Sequence, residues 1–254
     1  MWVVSAVAAV VYAPLAAALI VFEPPRVGWV ELLFISISAL IHVVYYLTLQ
    51  TGFRIGDFSL VYPIARGTGP VLTAGVAILL LGERPSPLAI TGIALVAGGA
   101  FVLGGGGPLR STPSTRKAMG YGLLTGMLIA SYTLVDKYSV SVLLIPPLLL
   151  DWANHFLRVF MLLPAALNER EGVRRAWYTY RWEAVGVGVL SPLAYILVLT
   201  AMTFTPVSYV AAAREMSILL GAIMGTRLLA EGQALRRLSG AGAIAAGVIA
   251  LALG

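Results

Sequence analysis

Residues 61–84 read VYPIARGTGPVLTAGVAILLLGER. The stretch is apolar enough to lie in lipid, yet it holds Arg66 between Pro63 and Pro70 and closes on a Gly-Glu-Arg turn. A charged side chain at the centre of a membrane helix costs about 2.5–3.5 kcal/mol even on the gentlest scale, so it needs a partner, a wet cavity or an escape to the interface. Snorkelling is near its limit here, because Arg66 lies about 12 Å along a helix that starts near residue 58.

The whole chain has the same apolar character. Of its 254 residues 59% are apolar and 11% charged, and the mean hydropathy is +0.92, outside the range of soluble globular domains. Apolar runs long enough to cross about 30 Å of hydrocarbon recur. They fall at 2–22, 28–50, 58–81, 86–104, 118–137, 144–166, 183–203, 207–230 and 235–253. The runs are continuous, not alternating in segments of about ten residues, so a β-barrel is excluded. The first run has no basic segment before it and no good cleavage site after it, and reads as a spanning helix. The fold class expected is an all-α polytopic membrane protein. With no cysteine in the chain, disulfides and thiolate chemistry are excluded.

The opening stretch recurs. At an offset of 148, Ala65-Arg66 meets Ala213-Arg214, Glu83 meets Glu231, Gly92 meets Gly240 and Gly99 meets Gly247. At 149, Tyr46 meets Tyr195 and Ser59 meets Ser208. This divides the chain into a first repeat at 1–105, a linker loop at 106–116 and a second repeat at 117–254. The second repeat holds five helices and the first four. A tenth helix ahead of residue 1 is therefore expected, unless the protein works with nine. Five helices per repeat force opposite orientations, the inverted plan of many secondary transporters. Loops on one side carry Arg54, Arg110, Arg116, Lys117, Arg170, Arg174, Arg175, Arg181, Arg227, Arg236 and Arg237, against Arg26, Arg84 and Lys137 on the other. The positive-inside rule makes the first side cytoplasmic. These basic residues set orientation in a bilayer and do not point to nucleic acid.

The candidate substrate-binding residues surround the paired arginines. Tyr62 lies one turn before Arg66 and shares its face. A guanidinium fork with a phenol beside it suits a carboxylate or phosphate. Arg214 is its repeat partner, and Glu215, about 100° around the helix from it, is either a proton-coupling carboxylate or the ionic partner of Arg66 or Arg214. Tyr46, Tyr195 and Tyr209 complete the set. In the sixth run Asp151, His155 and Arg158 share one stripe, and Asp151 with His155 forms a second candidate for proton coupling or an interfacial polar face. Asp136 is a weaker pathway candidate. The lone His-Asp pair does not make a metal site. Neither a cofactor, a metal nor an enzymatic nucleophile is expected. The glycine-rich runs 86–104 and 235–253 permit close backbone approach, as scaffold or as a homodimer surface.

With YPIARGTGP, LLLGERPSPLAITGIALVAGG and the repeat in hand, the chain resembles the EamA-type family of the drug/metabolite transporter superfamily. LGER at 81–84 matches the family's LGE-plus-basic signature, and LAEG at 229–232 is a degraded copy. The resemblance implies a ten-helix secondary transporter in the plasma (inner) membrane that exports a small metabolite, amino acid or drug-like solute by alternating access. The alternative on the same fold is a flippase or carrier of a lipid-linked phosphate compound. The expected partners are a small anionic or zwitterionic solute and the lipid bilayer.

Overall fold

The computed structural model describes residues 1–55, 58–103, 113–217 and 234–254, without the side chains of 58–60, 63, 103, 113–115 and 234–238. The LAEG segment with Glu231, the GxxxG of Gly221 and Gly225, Arg110, Arg227, the side chains of Pro63, Arg236 and Arg237, and the linker at 106–112 lie outside that description. The linker's remaining residues, 113–116, lie in the fifth helix.

Every regular element among the described residues is an α-helix: α1 Trp2–Phe22, α2 Trp29–Ile55, α3 Phe58–Leu80, α4 Pro87–Leu103, α5 Pro113–Ser141, α6 Pro147–Asn168, α7 Arg170–Phe204, α8 Val207–Ala213 and α9 Ala234–Leu253. Four stretches, Trp2–Phe22, Trp29–Ile55, Arg116–Ser141 and Arg170–Phe204, are long and apolar enough to cross a membrane. The 22-residue α6 is not one of them, because Asp151, Asn154, His155 and Arg158 interrupt its apolar surface.

Two helices depart from the sequence expectation. The run expected at 183–203 is helical from Arg170, with a non-helical Tyr180 (φ −124, ψ 30) marking a bend. Residues 170–179 contain a single glycine and no proline, so nothing in them breaks a helix. The bend separates a basic amphipathic segment from the apolar one. Within the run expected at 207–230, α8 ends at Ala213, Arg214 and Glu215 form a turn, and helix resumes at Met216–Ser217, where the described stretch stops. There the backbone ladder tightens: Glu215 N–H donates to Ala212 O and Ser217 N–H to Arg214 O, both three residues back.

The helices assort into two compact units. The first, Met1–Val43 with Val135–Phe204, packs α1 against α6 and α7. Trp2 Nε1 donates to Val159 O at 3.1 Å, Trp152 Nε1 to Ala9 O at 3.0 Å, and Tyr12 OH to Val189 O at 2.8 Å. Each indole or phenol thus satisfies its polar end on a neighbouring backbone while its ring fills the contact.

The second unit, Val44–Leu134 with Thr205–Gly254, is organised around α3 and a tight crossing of α4 and α9. A Cβ on Gly92 would stand 2.7 Å from Gly247 O, one on Gly247 2.7 Å from Gly92 O, and one on Gly99 2.7 Å from Gly240 O. The helices are therefore antiparallel with backbones in contact. The two glycine pairs exchange under the 148-residue offset, as do the contacts of Gly247 with Val96 and of Gly99 with Ile244. A self-complementary contact of this kind is the mark of a local two-fold axis. The glycine faces expected as scaffold or homodimer surface thus engage each other within the chain, whereas Gly98 and Gly242 meet nothing within 4 Å. Ala74, Ala89, Ile93, Val96, Ala212 and Leu251 form a buried apolar cluster beside this crossing.

The LGER turn has a mechanical role in the same unit. Gly82 adopts φ 68, a left-handed conformation natural to glycine, and ends α3. The carboxylate of Glu83 then accepts hydrogen bonds from Val207 N–H (2.7 Å), Ser208 N–H (3.2 Å) and Ser208 Oγ–H (2.6 Å). The two N–H groups are orphan donors at the start of α8, and an anion there also complements the helix dipole.

The crossing predicts a sharp contrast between neighbouring glycines. Gly99→Val should lower the thermal unfolding midpoint in detergent, with the roughly 1–3 kcal/mol cost of overpacking. Gly98→Ala, one residue away and open, should leave the midpoint unchanged or raise it.

Candidate functional site

In the second unit, α3 brings Arg66 up to the interrupted end of α8. Arg66 Nε lies 3.1 Å from Glu215 Oε2, with side-chain exposures of 19% and 4%. The two atoms form an ion pair but miss hydrogen-bond alignment. Arg66 Nη2 donates to Ser217 Oγ at 3.0 Å, and its guanidinium stands 5.8 Å from the Tyr62 ring centroid. One planar cation therefore holds a carboxylate, a hydroxyl and an aromatic face at once.

Local sequence explains the placement. Gly67 lets α4 approach, a Cβ there standing 3.2 Å from Ala97 O, and Gly69 lets α5 approach, a Cβ there standing 2.9 Å from Ile129. Two helices thus close around α3 at the level of the arginine. Pro70 lies buried within a helix that remains continuous. Its ring leaves the carbonyl of Arg66 without its usual helical donor.

Arg214 turns to a different set. Its Nη2 donates to Tyr132 OH at 3.2 Å and its Nη1 contacts Thr133 Oγ1 at 3.4 Å, while the guanidinium lies 5.8 Å from the Tyr132 centroid. Tyr45 meets Tyr132 edge-on at 5.6 Å and Tyr46 at 4.8 Å. Arg66, Arg214, Glu215 and the phenols of Tyr45, Tyr46, Tyr62 and Tyr132 thus form linked contacts within the second unit.

Not every expected residue joins this cluster. Tyr209 packs against the apolar cluster around α4 and α9. Tyr195 belongs to the first unit, where its hydroxyl donates to Asp136 Oδ2 at 2.5 Å. Asp151 and His155 are in the first unit as well, so the coupling candidates fall in two separate groups.

The first unit holds a buried polar network of its own. Asp136 is wholly buried; besides Tyr195 it receives Ser38 Oγ–H on Oδ1 at 2.5 Å. Asn154 Nδ2 donates to Ser38 Oγ at 3.0 Å, and His42 Nδ1 lies 2.9 Å from Ser38 O. The His42 ring meets Tyr195 edge-on at 5.7 Å. On α6, His155 Nε2 is 3.9 Å from Asp151 Oδ1, and Arg158 Nε donates to Asn154 O at 3.1 Å. Asp151 Oδ2, Asn154 Oδ1 and His155 Nδ1 are buried with no hydrogen-bond partner among the described residues. Lys137 donates to Met202 O near the end of α7 at 2.7 Å, which complements that helix terminus.

Sequence reading singled out the two arginines, Glu215, Tyr62, Asp151 and His155, which the structure places in these two clusters. It missed Ser38, Asn154, Tyr132 and Thr133. Asn154 was accessible, because 151, 154, 155 and 158 complete one helical stripe. Ser38, Tyr132 and Thr133 carried no such signal, being small or aromatic residues in apolar helices.

The chain is similar in fold to a protein of known structure described only as "Crystal structure of protein": identity is 12%, the match covers 99% of this chain and 88% of that one, and the TM-score is 0.77. At that identity what is shared is the fold. No family model matches the sequence, and no curated protein is similar to it.

The ion pair makes a stability prediction. Glu215→Gln leaves a guanidinium largely buried and unpaired, so the unfolding midpoint should drop. The cost should approach the roughly 3–5 kcal/mol of a broken buried pair, less what the exposed part of Arg66 recovers from solvent. Arg66→Gln combined with Glu215→Gln should be more stable than Glu215→Gln alone. A double variant whose loss equals the sum of the two single losses would deny that the two residues are coupled.

Proposed function

We propose that the protein is a secondary transporter of the EamA-type, drug/metabolite transporter kind, built from two inverted repeats that span the membrane. It moves a small anionic or zwitterionic solute by alternating access. The observation that carries this reading is the Arg66–Glu215 pair. Two opposite charges stand 3.1 Å apart, out of hydrogen-bond alignment, on predominantly apolar helices. Intramembrane charge is retained where a pathway or site needs it.

A zwitterion has the complement of that pair. Its carboxylate can take the Arg66 fork, and its ammonium can take Glu215, so one ion pair is exchanged for two. Arg214 with Tyr132 offers a further cation and phenol for a second acidic group. Interruption of α8 at Arg214–Glu215 supports the same reading, because discontinuous helices that present charge and free backbone groups recur at transporter substrate sites. The reciprocal antiparallel glycine contacts of α4 and α9 support the inverted repeat. Asp151 and His155 are the candidates for proton coupling in the first unit, and Glu215 in the second.

Purified protein in liposomes, tested for uptake of labelled neutral amino acids, dicarboxylates and organic cations, separates these classes. Uptake of a zwitterion or an anion is expected, falling by about tenfold or more in Arg66→Ala, the scale of one charge-assisted contact of about 1.5–3 kcal/mol. Uptake that is restricted to cations, or that is unchanged in Arg66→Ala, rejects the assignment.

A further inference from the structure

Between α1, the end of α6 and the start of α7 the first unit carries a groove of about 740 Å³, within the roughly 300–1,000 Å³ of pockets that bury a small molecule. Its floor is apolar, formed by residues such as Val3, Ala6, Val7, Val10, Leu163 and Ala166. Its rim is different. Arg170, Val173, Arg174, Trp177 and Tyr178 all line it from α7, and their spacing of i, i+3, i+4, i+7 and i+8 makes them one face of a helix. This is the segment set apart from the apolar part of α7 by the bend at Tyr180.

The rim is cationic without being paired. Glu169 and Glu171 flank the segment in sequence, yet neither lines the groove. Among the described residues no carboxylate forms an ion pair with Arg170 or Arg174; Arg174 instead lies 5.7 Å from the Tyr178 ring centroid. Beyond the groove the segment also exposes Tyr180 and Trp182, with Arg181 over the Trp182 ring at 5.5 Å. Tryptophan, tyrosine and arginine together are the residues of the membrane–water boundary, and a basic amphipathic helix with exposed aromatics lies in that plane.

We infer that this groove is a binding site for an anionic glycerophospholipid. An acyl chain lies along the valines and leucines of α1 and α6, and the headgroup phosphate is held by the guanidiniums of Arg170 and Arg174, with Trp177 and Tyr178 at the glycerol level. Any lipid-facing apolar surface is covered by chains in a bilayer; what distinguishes this one is concavity joined to two cations that have no acidic partner among the described residues. Charge complementarity therefore selects an anionic headgroup over a zwitterionic one. The site does not depend on the transport reading.

Trp2 and Trp177 both line the groove, which provides the readout. Tryptophan fluorescence of the intact protein in detergent is titrated with phosphatidylglycerol or phosphatidylcholine brominated on the acyl chains. Phosphatidylglycerol should quench more at equal mole fraction, and the excess should shrink in Trp177→Phe. In Arg170→Gln/Arg174→Gln, the concentration for half the quenching should rise by about tenfold or more, the scale of two interfacial cations acting on one anionic lipid. Ala6→Phe, which fills the floor, should reduce the quenching, and glycerol phosphate without chains should not compete. An unchanged thermal midpoint shows that the rim variants fold. Equal quenching by the two lipids, persistence of the excess in the double arginine variant, or full competition by glycerol phosphate overturns the proposal.

Discussion

A guanidinium in the middle of an apolar helix must be matched by another charge or by water, and much of the second unit can be understood from that requirement. Arg66 has Glu215 at 3.1 Å. The match depends on two helices distant in sequence. Gly67 and Gly69 let α4 and α5 close on α3 around the arginine. Glu83, delivered by the left-handed Gly82, fixes the start of α8 through three hydrogen bonds. That helix then loses its regular ladder at the point where Glu215 is presented. A regular helix through Arg214 and Glu215 would point the two side chains about 100° apart. The tightened turn accompanies a division of labour in which Glu215 serves Arg66 and Arg214 serves Tyr132.

The first unit solves a similar problem by hydrogen bonding. Asp136 lies fully buried with Ser38 and Tyr195 donating to its two oxygens, a charge-assisted arrangement that suits a carboxylate held away from water. The stripe on α6 is less complete, with three buried polar atoms that have no hydrogen-bond partner among the described residues. Buried polar groups are seldom left so, and a proton or a water chain would satisfy them. Asp136, by contrast, already accepts a hydrogen bond on each oxygen.

Much of this fold was legible because its signals are periodic or rare. Continuous apolar runs located most of the helices, and of the residues recurring at one offset the glycines at 92, 99, 240 and 247 meet in reciprocal contacts between α4 and α9. What could not be read was local. Nothing in the apolar sequence near residue 214 marks the tightening of the ladder, since alanine and methionine flank the charged pair. Segment 170–180 reads as a loop because its residues are charged, although its apolar positions at 173 and 177 already follow a helical spacing. Ser38 and Thr133 are small hydroxyls of a kind common in apolar helices. They acquire a role only when folding brings a charge from more than eighty residues away, as the Ser38–Asp136 and Arg214–Thr133 contacts do.

The central claim is that Arg66 faces a site that charged solutes can enter. The chain has no cysteine, so Ser217→Cys, placed where Arg66 Nη2 now finds a hydroxyl at 3.0 Å, introduces a single reporter thiol. Its rate of reaction with an anionic and with a cationic methanethiosulfonate of similar size, in membranes, is the decisive measurement. The account predicts faster labelling by the anionic reagent, with the preference lost in Arg66→Gln. A thiol that reacts with neither reagent, or one that prefers the cation, would contradict it.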